Sequence, residues 1–446
     1  MRLWFGSPLF WAIVVGLYPL LVLPGVSSRT ESYFLKLTFL SSFLFIALLQ
    51  ALWQHRHLSL KTLGFRALGY IRLPFVALAL LYALWTLIAS AYSPFPPLSL
   101  LGSSDDYQDG ALAEVLFALS AVAAYFGGRG ALKGVRLGIV GAGLLLALWA
   151  LVEVWLRKGL YYPVATVDLP LGSFPGKGHL AGFLLLSLPP MWPAWGPSLV
   201  TALSLGVTYT RAALLGLAFA WLMGVRRPPY GLGRHLALGV GLILAVAGGL
   251  YLGRHLQVSG GKELSSGTTL ETRLILWTIA GRGIAEKPWT GFGGGVFYLY
   301  WTHFATIDEI SRLLWLEKRL KVLEVRGMAV LAQKEDGQKV LVRTDGWKAH
   351  NELLDLALMW GVPVALLFVV LTLGAMVSGL RGGEALLALG LGGYLIFSFL
   401  WYVPAEVKGT LWPLLGGLWA LRCGGEQRRE ERLKDGLGNA SAEAIL

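Results

Sequence analysis

Long apolar runs separated by short polar connectors make up most of the chain. A run such as LGIVGAGLLLALWALVEVWL, which starts at Leu137, matches the roughly 20 residues that a helix needs to cross a bilayer. The pattern predicts about twelve membrane-spanning helices, near residues 9–25, 34–53, 73–92, 110–126, 137–156, 179–195, 197–210, 212–225, 235–253, 354–378, 384–402 and 405–421. It therefore predicts an all-α polytopic membrane protein.

Composition and charge indicate the same class. The 446 residues are 55% hydrophobic and 14% charged, which leaves a soluble chain no core large enough for its apolar side chains. The net charge of +12 lies mainly in alternate connectors, as the positive-inside rule requires when both termini are cytoplasmic. The basic balance therefore reflects membrane orientation and argues against nucleic acid as a partner. Arg2 precedes the first apolar run, but no clear small-x-small cleavage site follows, so we expect this run to remain as a helix.

One long outer segment interrupts the alternation and divides the chain. We expect an N-terminal bundle of about nine spans over residues 1–253 and an extracytoplasmic loop domain over residues 254–349. About three further spans follow over residues 350–422, and residues 423–446 form a polar cytoplasmic tail. The tail starts with Cys423, the single cysteine, so no intrachain disulfide can form.

The loop domain has its own predicted elements. A first helix ends at Pro288, before the turn GFGGG, and a second, aromatic-rich helix is predicted near residues 296–320. Two alternating runs then flank Asp336-Gly337, which predicts a β-hairpin within residues 325–345. GFGGG follows no predicted strand and lacks the lysine of a P-loop, so we interpret it as a tight turn rather than a phosphate cradle.

Three basic side chains are expected to meet at the outer face. Arg211 lies in the very short connector between the seventh and eighth spans, Arg273 lies on the first loop helix, and His350 starts the tenth span. Arginine holds phosphate oxygens with a planar fork and keeps its charge, whereas histidine can take a proton near neutral pH. The combination suits the attack of a sugar hydroxyl on a lipid-diphosphate sugar, with a base on one side and charge stabilisation on the other.

Each of these residues also has a purely structural interpretation. His350 could be an interfacial polar residue, Arg211 could extend its charge to the membrane surface, and Arg273 could be a solvated helix charge. Asn351 could be the N-cap of the helix that follows. Asp355, one turn further, could orient the imidazole, bind the acceptor or cap the same helix.

Acidic residues offer two competing sites. Asp105, Asp106 and Asp109 share one outer loop, which could ligate a hard metal ion or simply be polar because a helix starts there. If the protein is a membrane polymerase of cell-wall glycans, its activity would depend on one of these carboxylates. A transporter of lipid-linked glycans would use an ionisable residue deep in the membrane, for which Glu153 is the deepest candidate. No HExxH motif or Cys/His cluster is present, and we expect neither a metal nor another cofactor.

Around residues 170–375 the ordered motifs resemble the O-antigen ligase and polymerase superfamily of membrane glycosyltransferases. His350-Asn351 is followed by nine residues and Gly361, as in the ligase pattern, although Val364 replaces its final Gly, Thr or Tyr. The stretch TYTRAALLGL is similar to the family's Thr-x-Ser-Arg-Gly stretch, with Thr210 in place of the serine and the arginine at Arg211.

Two further segments extend this resemblance. ETRLILW is similar to the family's Arg-x-x-x-Trp stretch and places Arg273 and Trp277 in register. SFPGKGHLAGF is similar to a Phe-x-x-x-Asn-x-x-Ala segment in which His179 replaces the asparagine, with Lys177 nearby.

The resemblance implies a GT-C-like helical fold and an inverting, metal-independent transfer in the bacterial inner membrane. The donor would be a glycan on undecaprenyl diphosphate, and the acceptor a lipid A-core sugar for a ligase. For a polymerase the acceptor would be another lipid-linked repeat unit, with a chain-length regulator as a further partner. His350 would be the base, and Arg211 and Arg273 would bind the diphosphate. The supporting residues would be Lys177, His179, Asn351 and Asp355.

Overall fold

The computed structural model describes most of the chain, and its architecture is mainly helical. The described residues are 6–22, 29–54, 56, 73–102, 109–161, 169–226, 231–256, 268–295, 297–327, 329–343 and 348–422. The predicted tail with Cys423 lies outside the described residues, as do Asp105 and Asp106.

Helices connected by short segments precede the loop domain. They are α1 (Pro8–Leu17), α2 (Arg29–Gln54), α3 (Pro74–Ala91), α4 (Pro96–Leu101), α5 (Ala111–Leu156), α6 (Lys177–Met191), α7 (Trp195–Val207), α8 (Arg211–Val225) and α9 (Leu232–His255). The loop domain contains α10 (Thr268–Glu286), α11 (Phe297–Phe304), α12 (Ile307–Lys318), β1 (Lys321–Arg326), β2 (Ala329–Gln333) and β3 (Lys339–Arg343). The chain then forms α13 (Glu352–Trp360), α14 (Val362–Arg381) and α15 (Ala385–Ser398). A last helix, α16, covers residues 405–422.

Four helices in the described part of the chain are long and apolar enough to cross a membrane, namely α3, α5, α9 and α14. Helix α5 has 46 residues and covers two predicted spans. Its backbone breaks between them at Gly128, with φ 59° and ψ −141°, a conformation open mainly to glycine. Helices α7 and α8 are apolar but have only 13 and 15 residues. The structure therefore supports a polytopic membrane protein, and the number of twelve spans stays a prediction.

Small residues bring α1 and α5 into close contact. A methyl group at Gly130 would overlap the carbonyl oxygen of Gly6, and one at Gly134 would overlap that of Pro8. Membrane helices use such small residues because no hydrophobic effect drives one helix onto another within lipid, so close backbone packing must do so. The first apolar run is packed into the helical bundle in this way.

The loop domain has a small core of its own. Trp301, Leu313 and Val330 are fully buried where α11, α12 and the sheet meet. Helices α10 and α12 are joined by the guanidinium of Arg282, which donates two hydrogen bonds of 2.6 and 2.8 Å to the carboxylate of Glu309. Helix α12 is thus fixed to α10, the helix that carries Arg273.

The predicted β-hairpin is confirmed, and it is part of a larger sheet. Strands β2 and β3 pair antiparallel across the turn at Asp336-Gly337, with Gln333 opposite Lys339. Strand β1 pairs with the other side of β2 and was not predicted, because its six residues, KVLEVR, include three charges and follow a helix almost directly. The single helix predicted near residues 296–320 is wrong: α11 and α12 are separate because Thr306 starts the second with a capping box.

The tenth predicted span is interrupted close to its N-terminal end. Helix α13 ends and α14 begins at Gly361, which has φ 88° and ψ 162°. These angles lie in a region that only glycine occupies readily. A methyl group at Gly361 would also overlap the carbonyl oxygen of Trp289, so the chain needs glycine here for two reasons.

The glycine-rich turn of the loop domain docks at this interruption. We call residues 288–294 the docking turn. The N–H of Phe292 donates to the carbonyl of Leu358, and the N–H of Val362 donates to the carbonyl of Pro288, each at 2.8 Å. The interpretation of GFGGG as a turn is therefore confirmed, and the turn joins α10 to α13.

We expect Gly361→Ala to destabilise the protein more than Gly383→Ala does. Gly383 is a matched control, since it has φ 87° and nothing lies within 4 Å of an added Cβ. Its alanine variant bears only the backbone strain, about 1–3 kcal/mol, whereas Gly361→Ala must also displace the docking turn. Thermal unfolding of both variants in the same detergent measures the difference. Equal melting temperatures would show that the docking turn does not constrain this junction.

Candidate functional site

Hydrogen bonds from two helices hold the segment that precedes α13. We call residues 348–351 the His350 loop. The indole N–H of Trp277 donates to the carbonyl of Ala349 at 2.9 Å, and the Asp355 carboxylate accepts the N–H of Ala349 at 2.8 Å. The side chain of Asn351 accepts two N–H groups of the first turn of α13, at 3.0 and 3.3 Å. Asn351 is therefore an N-cap, and Asp355 holds the loop backbone rather than the imidazole.

His350 has a left-handed backbone conformation, with φ 55°. Non-glycine residues keep such a conformation where their surroundings fix it, often at functional sites. Its Nδ1 lies 3.0 Å from the carbonyl oxygen of Lys348. Because a carbonyl can only accept, Nδ1 carries the hydrogen, and Nε2 carries the lone pair. Nε2 has no hydrogen-bond partner among the described residues, so it is the atom that can accept a proton.

Arg273 lies against the same aromatic ring as His350. Its Cζ is 5.3 Å from the centroid of the Trp401 ring, and the imidazole of His350 meets that ring edge-on at 5.2 Å. Burial lowers the pKa of Arg273, and the charge of Arg211 lowers it further. Two guanidiniums therefore share one region, and within the described chain Arg273 forms no ion pair with a carboxylate. A diphosphate would relieve this repulsion and accept both forks.

An aromatic pair between α15 and α16 is the centre of the site. The imidazole of His179 lies 5.9 Å from the ring of Trp401 and 4.7 Å from that of Tyr402, both edge-on. His350 also contacts the Tyr402 ring, at 5.7 Å. Lys177 opens the same helix as His179, α6. The aromatic pair was not predicted from the sequence, although its position directly before Val403-Pro404, at the end of an apolar helix, was an available signal.

The connector before α5 reaches the site through Asp109. Its carboxylate pairs with Lys348 at 2.7 Å, and the Lys348 ammonium lies 4.6 Å from the Tyr402 ring centroid. Asp105 and Asp106, the other members of the acidic loop, lie outside the described residues. Within the part of the chain that the structure describes, no three His, Cys, Asp or Glu side chains are placed to hold a metal ion. Asp109 thus has a structural partner and anchors the His350 loop.

Glu153, the candidate for a transporter site, is an acceptor for backbone and indole N–H groups. Its carboxylate accepts from Trp149 at 3.1 Å and from the N–H of Leu160 at 3.0 Å. It also accepts the N–H groups of Leu171 and Gly172, at 2.8 and 2.9 Å. Three of these four hydrogen bonds come from the connector between α5 and α6, so the residue that most favoured a transporter has a structural role.

The surroundings of His350 keep its imidazole neutral. Burial lowers its pKa from the ordinary value of 6.5, and the positive charges of Arg273 and Lys348 lower it further. The hydrogen bond to the carbonyl of Lys348 opposes part of this shift. A neutral imidazole at physiological pH can act as a base, because its Nε2 lone pair is unprotonated.

Comparison of the chain with models of known protein families and with curated proteins gave no match. The arrangement of side chains around Trp401 is therefore the basis for the functional inference.

We expect His350 to titrate below 6.5 and Arg273→Gln to raise its pKa. Removal of the neighbouring positive charge makes the imidazolium less unfavourable, but burial is the larger cause, so the pKa should stay below 6.5. Histidine-selective isotope labelling and NMR titration measure this, and the His350→Asn spectrum assigns the signal among the seven histidines. The control is Arg282→Gln on the same helix. A pKa at or above 6.5, or one that does not respond to Arg273→Gln, would contradict this account.

Proposed function

We propose that this chain is an O-antigen-ligase-like glycosyltransferase of the bacterial inner membrane. It moves a glycan from undecaprenyl diphosphate to a sugar hydroxyl of a glycolipid such as lipid A-core, at the outer face of the membrane. The observation that carries the proposal is that the imidazole of His350 and the guanidinium of Arg273 contact the same ring, that of Trp401, while the charge of Arg211 acts on Arg273. The proposed topology has twelve spans in a GT-C-like fold, with both termini in the cytoplasm.

The base in this reaction is Nε2 of His350. It takes the proton of the acceptor hydroxyl while the hydroxyl oxygen attacks the anomeric carbon of the donor sugar. The bond between that carbon and the diphosphate oxygen breaks, and undecaprenyl diphosphate leaves. A single displacement of this kind inverts the anomeric configuration. The hydrogen bond from Nδ1 to Lys348 supports the role, because it fixes the tautomer and stabilises the imidazolium that forms.

The two arginines stabilise the leaving diphosphate. Negative charge grows on the bridging oxygen as the bond breaks, and fixed positive charges close to it lower the barrier. Arg273 lies over the Trp401 ring, with its Cζ 5.3 Å from the ring centroid, and this contact restricts its fork before the donor binds. Arginine cations would here carry out the charge neutralisation for which other diphosphate-releasing enzymes use a metal ion.

The same chemistry also serves a polymerase, in which the acceptor is a second lipid-linked repeat unit. The residues around His350 handle the donor diphosphate in both cases, so the reaction centre favours neither. Product size separates them, since a ligase gives one transfer per acceptor and a polymerase gives a ladder.

We expect His350→Asn to lower the transfer rate by about 10²–10⁴-fold, the usual contribution of a general base. Asparagine tolerates the left-handed backbone of this position, so the variant removes the base with little backbone strain. The assay uses an undecaprenyl-diphosphate glycan in liposomes, with EDTA present. The matched control is His255→Asn, a substitution of an exposed histidine. Activity that needs a metal ion and Asp105 or Asp106, but survives His350→Asn, would sink the proposal.

We expect Arg273→Lys to lower the rate by roughly tenfold or more, although the positive charge is kept. Lysine has no planar fork and cannot make the bidentate contact, so the leaving group is held less well. Transfer kinetics at saturating acceptor measure the effect, with Arg282→Lys on the same helix as the control. A rate equal to that of the wild type would mean that Arg273 acts as a general positive charge only.

A further inference from the structure

The connector between α15 and α16 has no regular structure where it passes the site. Residues Trp401–Val403 form this part of it, and we call them the aromatic turn. The Trp401 ring contacts His350 and Arg273, and the Tyr402 ring contacts His350 and Lys348. The position of the base therefore depends on what holds this turn.

Glu352 holds both ends of the aromatic turn. Its backbone N–H donates to the carbonyl of Trp401 at 3.1 Å. Its carboxylate Oε2 accepts the backbone N–H of Val403 at 2.7 Å. Glu352 is only two residues after His350 and is 2% exposed, so one buried residue links the His350 loop to the aromatic turn. Buried hydrogen bonds of this kind fix geometry, because leaving either group unpaired is costly.

A buried charged cluster fixes Glu352 in turn. The ammonium of Lys408 lies 3.8 Å from Glu352 Oε1 and 2.5 Å from Glu114 Oε1. The hydroxyl of Tyr82 donates to the other oxygen of Glu114 at 2.9 Å. Lys408 thus keeps a carboxylate partner even without the charge of Glu352. This separates the two functions of Glu352, its charge and its reach to Val403.

We propose that Glu352 is a positioning residue, whose hydrogen bonds to the aromatic turn keep Trp401 and Tyr402 against His350. Glu352 does not touch the reacting atoms. It acts through the two rings, which set the orientation of the imidazole and exclude water from it. The inference rests on the proposed function only in that His350 is taken as the base.

Two substitutions of Glu352 separate the effect of its hydrogen bond to Val403 from the effect of its charge. Glu352→Gln removes the charge but keeps an oxygen that can accept the Val403 N–H. Glu352→Asp keeps the charge but shortens the side chain by one methylene, so the carboxylate no longer reaches Val403. Glu384→Gln and Glu384→Asp are the matched controls, since Glu384 pairs with Arg136 at 3.6 Å on the partly exposed surface.

We expect Glu352→Asp to lower kcat by about 10- to 100-fold, the effect of a misplaced reacting group. It should also raise the pKa of His350 toward 6.5, because water gains access to the imidazole. Glu352→Gln should lose at most about threefold in kcat, since the hydrogen bond to Val403 is kept. A residue needed only as a counter-charge for Lys408 would give the reverse order, with Gln the more damaging substitution, and would overturn the proposal.

The NMR titration of His350 tests the inference without any transfer assay. If the wild type shows no transfer, the proposed function fails, and the histidine pKa of the two Glu352 variants still decides the positioning role. If Glu352→Asp does not fold, Trp401→Phe gives a second route, because it removes part of the ring that contacts His350 and leaves Glu352 in place. Folded variants with the pKa of His350 unchanged in Glu352→Asp, or in Trp401→Phe, would overturn the proposal.

Discussion

Backbone pairing between the docking turn and the junction of α13 with α14 is the interaction on which the site depends. Unpaired N–H and C=O groups are very costly in a membrane protein, so an irregular segment must find its partners in another one. Here the turn after α10 and the break at Gly361 satisfy each other. The pairing fixes α10, which carries Arg273 and Trp277, relative to the helix that begins beside His350. Glycine allows the docking turn and the junction to approach closely, and this approach places Arg273 near His350.

The positive and negative groups around the site have different partners. The imidazole and Arg273 lie on the Trp401 ring, whereas the nearby carboxylates are engaged elsewhere. Asp109 is paired with Lys348, and Asp355 accepts a backbone N–H. These two acids therefore hold the His350 loop, and neither of them pairs with Arg273.

Much of the fold follows from patterns that are local in sequence. Apolar runs, the Asp336-Gly337 turn and the glycine turn each predicted an element that the structure contains. The break at Gly361 was missed because an apolar helix continues on both sides, and only the approach of the Trp289 carbonyl, 72 residues earlier, explains it. The roles of Trp401 and Glu352 were missed for the same reason. Their partners are distant in sequence, so no local spacing could indicate them, whereas Arg211, Arg273 and His350 carry chemistry that a single residue type suggests.

The left-handed backbone of His350 limits which residues natural variation can place at this position. Asparagine, aspartate and glycine adopt this conformation readily, whereas valine, isoleucine and threonine do so only with strain. Descendants of this chain that lose the histidine should therefore retain a residue from that small set as long as the loop keeps its shape. Backbone conformation, as well as acid–base chemistry, therefore restricts the residue at this position. The loop can keep its shape in a variant that no longer catalyses the reaction.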